Sequence, residues 1–176
     1  MTTVENAVAT EARTPALLRR PRANKGFLSW LTTVDHKKIG IMYGVTALVF
    51  LVLGGVEALL IRLQLFQPNG TVLTAGQYNQ MFTMHGTTMV FLVGMPIAVG
   101  FGNYFVPLMI GARDVAFPRI NMFGYWVVLF GGVFIYSSFF LGGAPNGGWF
   151  GYTPLTSAPL ASGFLPGRGP DFWAIG

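Results

Sequence analysis

Long apolar runs separated by short polar connections dominate the pattern of this chain. Three runs, at residues 39–63, 80–108 and 121–141, each reach the roughly 20 residues with which an α-helix crosses the hydrocarbon of a bilayer. The core of a soluble domain does not need uninterrupted runs of this length. The pattern predicts an all-α transmembrane fold with three membrane-spanning helices.

The segments around these runs have a different character. Residues 1–26 are polar, without helical periodicity, and predict a disordered cytoplasmic arm ahead of a partial domain at residues 27–176. Residues 142–170 are rich in Gly and Pro and predict an outer loop, whose Trp149, Phe150 and Tyr152 suit an interfacial belt or a packed cap. Residues 171–176 resemble the cap and first turn of a further helix, so we interpret the sequence as truncated there.

Charge decides the expected orientation. The connection at residues 64–79 contains a Gln-Pro-Asn-Gly turn and neither Lys nor Arg, whereas the connection after the second run carries Arg113 and Arg119. The positive-inside rule then places the N-terminus in the cytoplasm. This asymmetry explains the net charge of +5 without a nucleic-acid partner. Seven of the 11 basic residues precede the first run: Arg13, Arg19, Arg20, Arg22, Lys25, Lys37 and Lys38.

His85 is the strongest candidate for a metal or cofactor ligand. The chain has no cysteine, so a metal would be held by His, Met, carboxylate or a partner. His85 lies about five residues inside the outer end of the second run, and Gly86, Thr87 and Thr88 follow it. Small neighbours leave room for a flat cofactor, which suits an axial haem ligand, but they equally suit a neutral histidine bonded to a close helix.

The expected distances from His85 decide how Arg62 and His36 are interpreted. Arg62 ends the first run at about the expected depth of His85, where it either snorkels to the headgroups or contacts the polar edge of a cofactor. His36 precedes the first run on the inner side, separated from His85 by much of the membrane thickness. The two histidines therefore cannot share one iron, and we expect His36 to be an interfacial polar residue.

Polar residues also gather at the inner side. Asn103, Asp114 and Asn121 flank the second connection, where an acid followed by amides that order water is what proton uptake requires. Alternatively, Asp114 caps the chain or pairs with a neighbouring arginine. If the third helix starts early, Asp114 and Asn121 share one of its faces. Glu57 is an acid within the first run that no motif assigns, and its carboxyl is expected to be protonated or paired.

Six ordered motifs together resemble subunit I of the haem-copper terminal oxidases, from about residue 27 to the end of the chain. They are residues 30–40 (WLTTVDHKKIG), 59–62 (LLIR), 84–86 (MHG), 102–107 (GNYFVP), 111–121 (GARDVAFPRIN) and 148–154 (GWFGYTP).

The resemblance implies specific roles. His85 matches an axial ligand of the low-spin haem, expected to be A-type, and Arg62 matches the arginine at the haem formyl edge. Asp114, Asn103 and Asn121 match the D proton pathway, which favours the oxygen-reducing, proton-pumping branch over nitric oxide reductases. The family's bundle has twelve helices, of which these three would be the first, and the ligands of the high-spin haem and copper belong to later helices.

The implied function is a cytochrome c oxidase in a bacterial inner membrane, with subunits II and III as partners. Electrons would pass from cytochrome c, or from quinol, to oxygen, although this segment alone should be inactive. Two other classes remain open. One is a non-enzymatic three-span scaffold or assembly protein; the other is a transporter using Glu57 and Asp114, against which the lack of paired discontinuous helices argues.

Overall fold

The computed structural model describes residues 26–141, 143–153 and 168–176. The predicted N-terminal arm lies outside the described residues except for Gly26, as do residues 142 and 154–167 of the predicted outer loop. The helices, in chain order, are α1 (Leu28–Leu31), α2 (His36–Gln64), α3 (Ala75–Met109), α4 (Pro118–Leu141) and α5 (Arg168–Ile175).

Three of these helices confirm the predicted transmembrane fold. α2, α3 and α4 are each long and apolar enough to cross a membrane, and the described ranges contain no strand. Their outward faces are apolar as well, as shown by Leu48, Phe123 and Phe140, which are 57%, 68% and 89% exposed. A surface of this kind is stable against lipid or other apolar helices rather than against water.

Polar capping groups extend α2 and α3 beyond the apolar runs. α2 begins at His36 rather than at residue 39, because the Asp35 side chain accepts a hydrogen bond from the Lys37 amide at 2.8 Å. α3 begins at Ala75 rather than at residue 80, because Thr74 and Gln77 form a reciprocal capping box. Hydropathy alone does not locate such ends, and the earlier start of α3 places His85 ten residues inside the helix.

Glycines bring α2 and α3 into close contact at two levels. A Cβ on Gly40 would lie 2.8 Å from the Gly100 carbonyl oxygen, so the two backbones touch near the inner side. A Cβ on Gly54, further out, would lie 3.1 Å from both the Met89 sulfur and the Thr88 methyl. Small residues at such crossings are the usual means by which spanning helices pack.

α4 packs on this pair through aromatic side chains. Tyr43 of α2 meets Tyr125 of α4 edge to face at 5.2 Å, and the Tyr125 hydroxyl bonds Thr46 at 2.9 Å. Further out, Phe50 and Leu92 fill the space over Gly132, which has no room for a side chain of its own. The three spanning helices therefore share one packed interior.

α3 is not a uniform α-helix. The segment Thr88–Gly94 is π-helical, so its backbone hydrogen bonds join residues five apart rather than four. Such segments occur frequently at functional sites. This one begins three residues after His85 and lies against Phe50 of α2, where its Leu92 and Val93 are buried.

Residues 143–148 of the outer segment form a packed cap on α3 and α4, whereas Trp149, Phe150 and Tyr152 are exposed. Ala144 is fully buried between Met84 of α3 and Ile135 of α4. The Gly148 amide donates to the Thr83 hydroxyl at 3.0 Å, and Trp149 lies against Phe91. The structure begins α5 at Arg168, three residues before the predicted cap at residue 171.

Candidate functional site

The two ring nitrogens of His85 have different surroundings. Nδ1 lies 2.9 Å from the carbonyl oxygen of Gly54 on α2. A carbonyl oxygen only accepts hydrogen bonds, so Nδ1 carries the proton and Nε2 presents its lone pair. A histidine held in this way by a backbone carbonyl is the usual arrangement for a metal-ligating imidazole.

The space around His85 suits a flat group. His85 is half-buried, and a Cβ added to its neighbour Gly86 would meet no atom within 4 Å. Gly55, beside the carbonyl that holds the ring, is equally open. In the part of the chain that the structure describes, no three His, Cys, Asp or Glu side chains form a metal-binding group. The bonded Nδ1, the available Nε2 and the open glycines beside the ring are compatible with a haem, to which this segment would offer a single imidazole.

Three threonines hold α3 in place around His85. Thr83 accepts from the outer cap, the Trp173 indole of α5 donates to Thr87 at 2.9 Å, and Thr88 bonds the Tyr136 hydroxyl of α4 at 2.8 Å. Bonds to three different segments restrict the rotation and sliding of α3. The sequence alone does not reveal these roles, because each threonine bonds a partner from a distant part of the chain.

Arg62 lies further from His85 than expected. His85 bonds Gly54, which precedes Arg62 by eight residues on α2, so the backbone of Arg62 lies about 12 Å further along the helix axis than the group that holds His85. The expectation that they share one depth is wrong, because α3 starts earlier than its apolar run. Arg62 is exposed in the last turn of α2. A cofactor held at His85 would reach it only by extending two turns outward.

Glu57 is buried next to this site. Its residue is 5% exposed, and within the described ranges neither carboxyl oxygen has a hydrogen-bond partner. Tyr136 lies beside the carboxyl, but its hydroxyl bonds Thr88 and does not meet hydrogen-bond geometry toward Glu57. Glu57 is one turn outward from Gly54, so it neighbours the backbone group that holds His85.

The inner polar residues occupy three different elements. Asn103 is on α3, Asn121 is on α4, and Asp114 is in the turn between these helices, where its Oδ1 accepts from the Val115 amide at 3.0 Å. Because α4 begins only at Pro118, the predicted shared helix face of Asp114 and Asn121 is wrong. The side-chain nitrogens of both asparagines are buried without a partner among the described residues, which makes them donors available to water.

His36 lies at the inner end of α2, and it is buried there against α3. It is 2% exposed, and its Nδ1 lies 2.8 Å from the backbone oxygen of Asn103. In the first turn of a helix adjacent residues point in different directions, so the charged neighbours Asp35 and Lys37 do not determine the direction of the imidazole. The histidine faces α3, while Lys37 is exposed.

Comparison with known proteins gives the same family throughout. A sequence model described as "Cytochrome C and Quinol oxidase polypeptide I" matches residues 38–176. Cytochrome c oxidase subunit 1 of Bacillus sp. (strain PS3) is 51% identical over 147 residues, which are 84% of this chain and 23% of the relative. The Corynebacterium glutamicum subunit 1 is 50% identical over 157 residues, covering 88% of this chain and 26% of the relative.

A third relative extends over almost all of the chain. The putative cytochrome c oxidase subunit 1-beta of Streptomyces coelicolor is 45% identical over 175 residues, 98% of this chain and 30% of that protein. The chain thus spans between about a quarter and a third of the length of these curated relatives. The family match and the identities agree with the motifs around His85 and Asp114: this chain belongs to the cytochrome c and quinol oxidase polypeptide I family.

Proposed function

We propose that this chain is the first part of the catalytic subunit I of a bacterial respiratory terminal oxidase. The intact enzyme passes electrons from cytochrome c through a low-spin haem to a haem-copper centre, reduces oxygen to water and pumps protons. The observation that carries the proposal is the bond from His85 Nδ1 to the Gly54 carbonyl, which leaves Nε2 available as an axial ligand. Quinol as the electron donor is a variant within the same class.

His85 and the helices around it bind and orient the cofactor. When bound, a low-spin haem, A-type by resemblance, supplies a one-electron redox centre. The Gly54 carbonyl would fix the orientation of the imidazole, and the threonine bonds would restrict movement of α3 beside it. Arg62 is proposed to interact with the outer edge of the group, where a guanidinium adds positive charge and hydrogen-bond donors. We assign no residue of this chain to the high-spin haem or to copper.

The inner residues are proposed to take up protons. Asp114 lies in the turn at the inner side, where its carboxylate can accept a proton from the cytoplasm. Asn103 and Asn121 then order water above it with amide groups that have no partner among the described residues. We place the intact protein in the inner membrane as a multi-pass subunit with a cytoplasmic N-terminus and with subunits II and III as partners.

The decisive experiment uses the intact oxidase in vesicles. Asp114→Asn removes the proton-accepting group and keeps its shape, so turnover and proton release per electron should both fall about tenfold or more with haem content unchanged. Asn121→Asp places a charge in the path and should lower proton release more than oxygen consumption. A structural Asp114 would instead lower the amount of haem-loaded enzyme and leave the activity per haem normal, which would refute the proposed path.

A further inference from the structure

Pro107 interrupts the hydrogen bonding of α3 at its inner end. It lies inside the helix and is buried, although the residues on either side of it are exposed. In an α-helix the amide of each residue donates to the carbonyl four residues earlier, and proline has no amide hydrogen. The carbonyl that loses its usual donor here is that of Asn103.

His36 supplies a hydrogen bond to this same carbonyl. Its Nδ1 is 2.8 Å from the Asn103 oxygen, across 67 residues of sequence. Because the oxygen can only accept, the imidazole donates through Nδ1–H. The donor comes from another helix and replaces the one that Pro107 lacks.

The surroundings make this bond a rigid one. His36 is the first residue of α2, and the Asp35 cap fixes the direction of that first turn. One turn further into the membrane, Gly40 and Gly100 bring the two backbones into contact. A ring that is 2% exposed, between a cap and a helix crossing, has little freedom to leave its partner.

The carbonyl belongs to a residue of the proposed proton path. The Asn103 side-chain nitrogen is buried and has no hydrogen-bond partner among the described residues, so it is available to order water. The backbone of Asn103 determines where this amide points. A proline four residues later would otherwise leave that backbone less restrained than the rest of α3.

We propose that His36 is a positioning residue, whose bond to the carbonyl freed by Pro107 holds Asn103 in the geometry that the proton path requires. The inference rests on the proposed function of Asn103. It differs from that function in assigning a role to the inner histidine, which neither binds the haem nor carries the proton.

The first test compares two substitutions of the histidine in the intact oxidase. His36→Leu removes the donor, and proton release per electron should fall at least threefold with haem content retained. His36→Asn keeps a donor, because the asparagine Nδ2 is as many bonds from Cα as the histidine Nδ1. It should restore most of the pumping ratio. A purely structural role would change the yield of assembled enzyme and leave this ratio unchanged.

The second test restores the missing amide in α3. Pro107→Ala gives the Asn103 carbonyl a donor within its own helix. In that background His36→Leu should lower proton release per electron by less than half as much as it does alone. Leu108→Ala is the matched control, because it changes a neighbouring side chain and no backbone donor. In the control background the effect of His36→Leu should be undiminished. If His36→Leu prevents assembly, Pro107→Ala should recover it.

The outcomes separate this inference from the proposed function. If Asp114→Asn lowers proton release and His36→Leu does not, the positioning role is wrong and the path stands. The role of the freed carbonyl would also be overturned if His36→Leu lowered proton release equally with Pro107 and with Pro107→Ala. The same holds if His36→Leu prevents assembly and Pro107→Ala does not recover it. If Asp114→Asn itself has no effect on proton release, the proposed path fails, and with it the basis of the inference.

Discussion

One imidazole nitrogen of His85 is bonded and the other is available, and this asymmetry gives the clearest prediction. His85→Ala in the intact oxidase should abolish the low-spin haem absorption band, because it removes Nε2 and the chain's other histidine, His36, lies at the opposite end of these helices. Met81→Ala, one turn earlier on α3, is the control and should keep the band. A low-spin band of normal intensity in His85→Ala would show that the iron is bound elsewhere.

Arg62 is expected to tune the cofactor rather than to hold it. Removing a positive charge near a haem favours its oxidised form, so Arg62→Met should lower the reduction potential, on the order of 60 mV for a tenfold change in a one-electron equilibrium. Haem content should stay the same in a redox titration monitored by absorption. Leu63→Met, at a similarly exposed neighbour, should leave the potential unchanged. An unshifted potential in Arg62→Met would mean that this side chain only snorkels.

Single residues also show which parts of the site are readable from sequence. His85 was identified because an ionisable group in an apolar run is costly and needs a reason. The burial of His36 was not foreseeable in this way, because it depends on the pairing of α2 with α3. The same holds for Glu57, which the sequence marks as buried without revealing that Tyr136 beside it bonds to Thr88 instead.

The helices themselves follow closely from the apolar pattern, and their ends do not. Runs of about 20 apolar residues sufficed to predict α2, α3 and α4. The helices extend further because the side chains of Asp35 and of the Thr74–Gln77 capping box accept hydrogen bonds from backbone amides at the helix starts. These residues are polar, so the hydropathy pattern places them outside the helix. The π-helical segment was not predicted either, since Thr88–Gly94 has the composition of ordinary spanning helix.

Packing between helices predicts a sharp difference between two glycines of α4. A Cβ on Gly132 would lie 2.6 Å from the Phe50 ring and 3.1 Å from a Leu92 methyl, so Gly132→Ala overpacks the interior and should cost about 1–3 kcal/mol. A Cβ on Gly124 meets only the Tyr43 hydroxyl, at an ordinary 3.6 Å. Thermal denaturation of the intact enzyme should show a lower midpoint for Gly132→Ala than for Gly124→Ala, in which the added methyl fits and alanine favours the helix. Equal midpoints would contradict the packing of α4 on α2.

The arrangement of the chain as a whole depends on how it is oriented in the membrane. The outer cap and α5 pack over the half of α3 that carries His85, while His36, Asn103 and Asn121 lie at the opposite end. The proposed haem site and the proposed proton-uptake site lie at opposite ends of the same three helices, and uptake from the cytoplasm requires the inner end to face it. Orientation is therefore as important to the proposed function as any side chain.

The distribution of charge makes this orientation testable. Seven basic residues precede Ile39, whereas the connection at residues 64–79 has none. Asn69 is exposed in a turn of that connection, with a φ of 58°, and Ala116 is exposed in the connection beside Asp114. Because this chain contains no cysteine, single cysteines at these positions give a clean signal once any others in the intact subunit are replaced.

We expect a membrane-impermeant maleimide applied to whole cells to label Asn69→Cys and to leave Ala116→Cys unlabelled. Permeabilising the membrane should expose Ala116→Cys to the same reagent, which serves as the control for its reactivity. The opposite pattern would place Asp114 outside the cell, where it could not take up cytoplasmic protons. That result would refute the proton path and leave the His85 assignment intact, because axial ligation depends on the contact between α2 and α3 and not on the direction in which they cross.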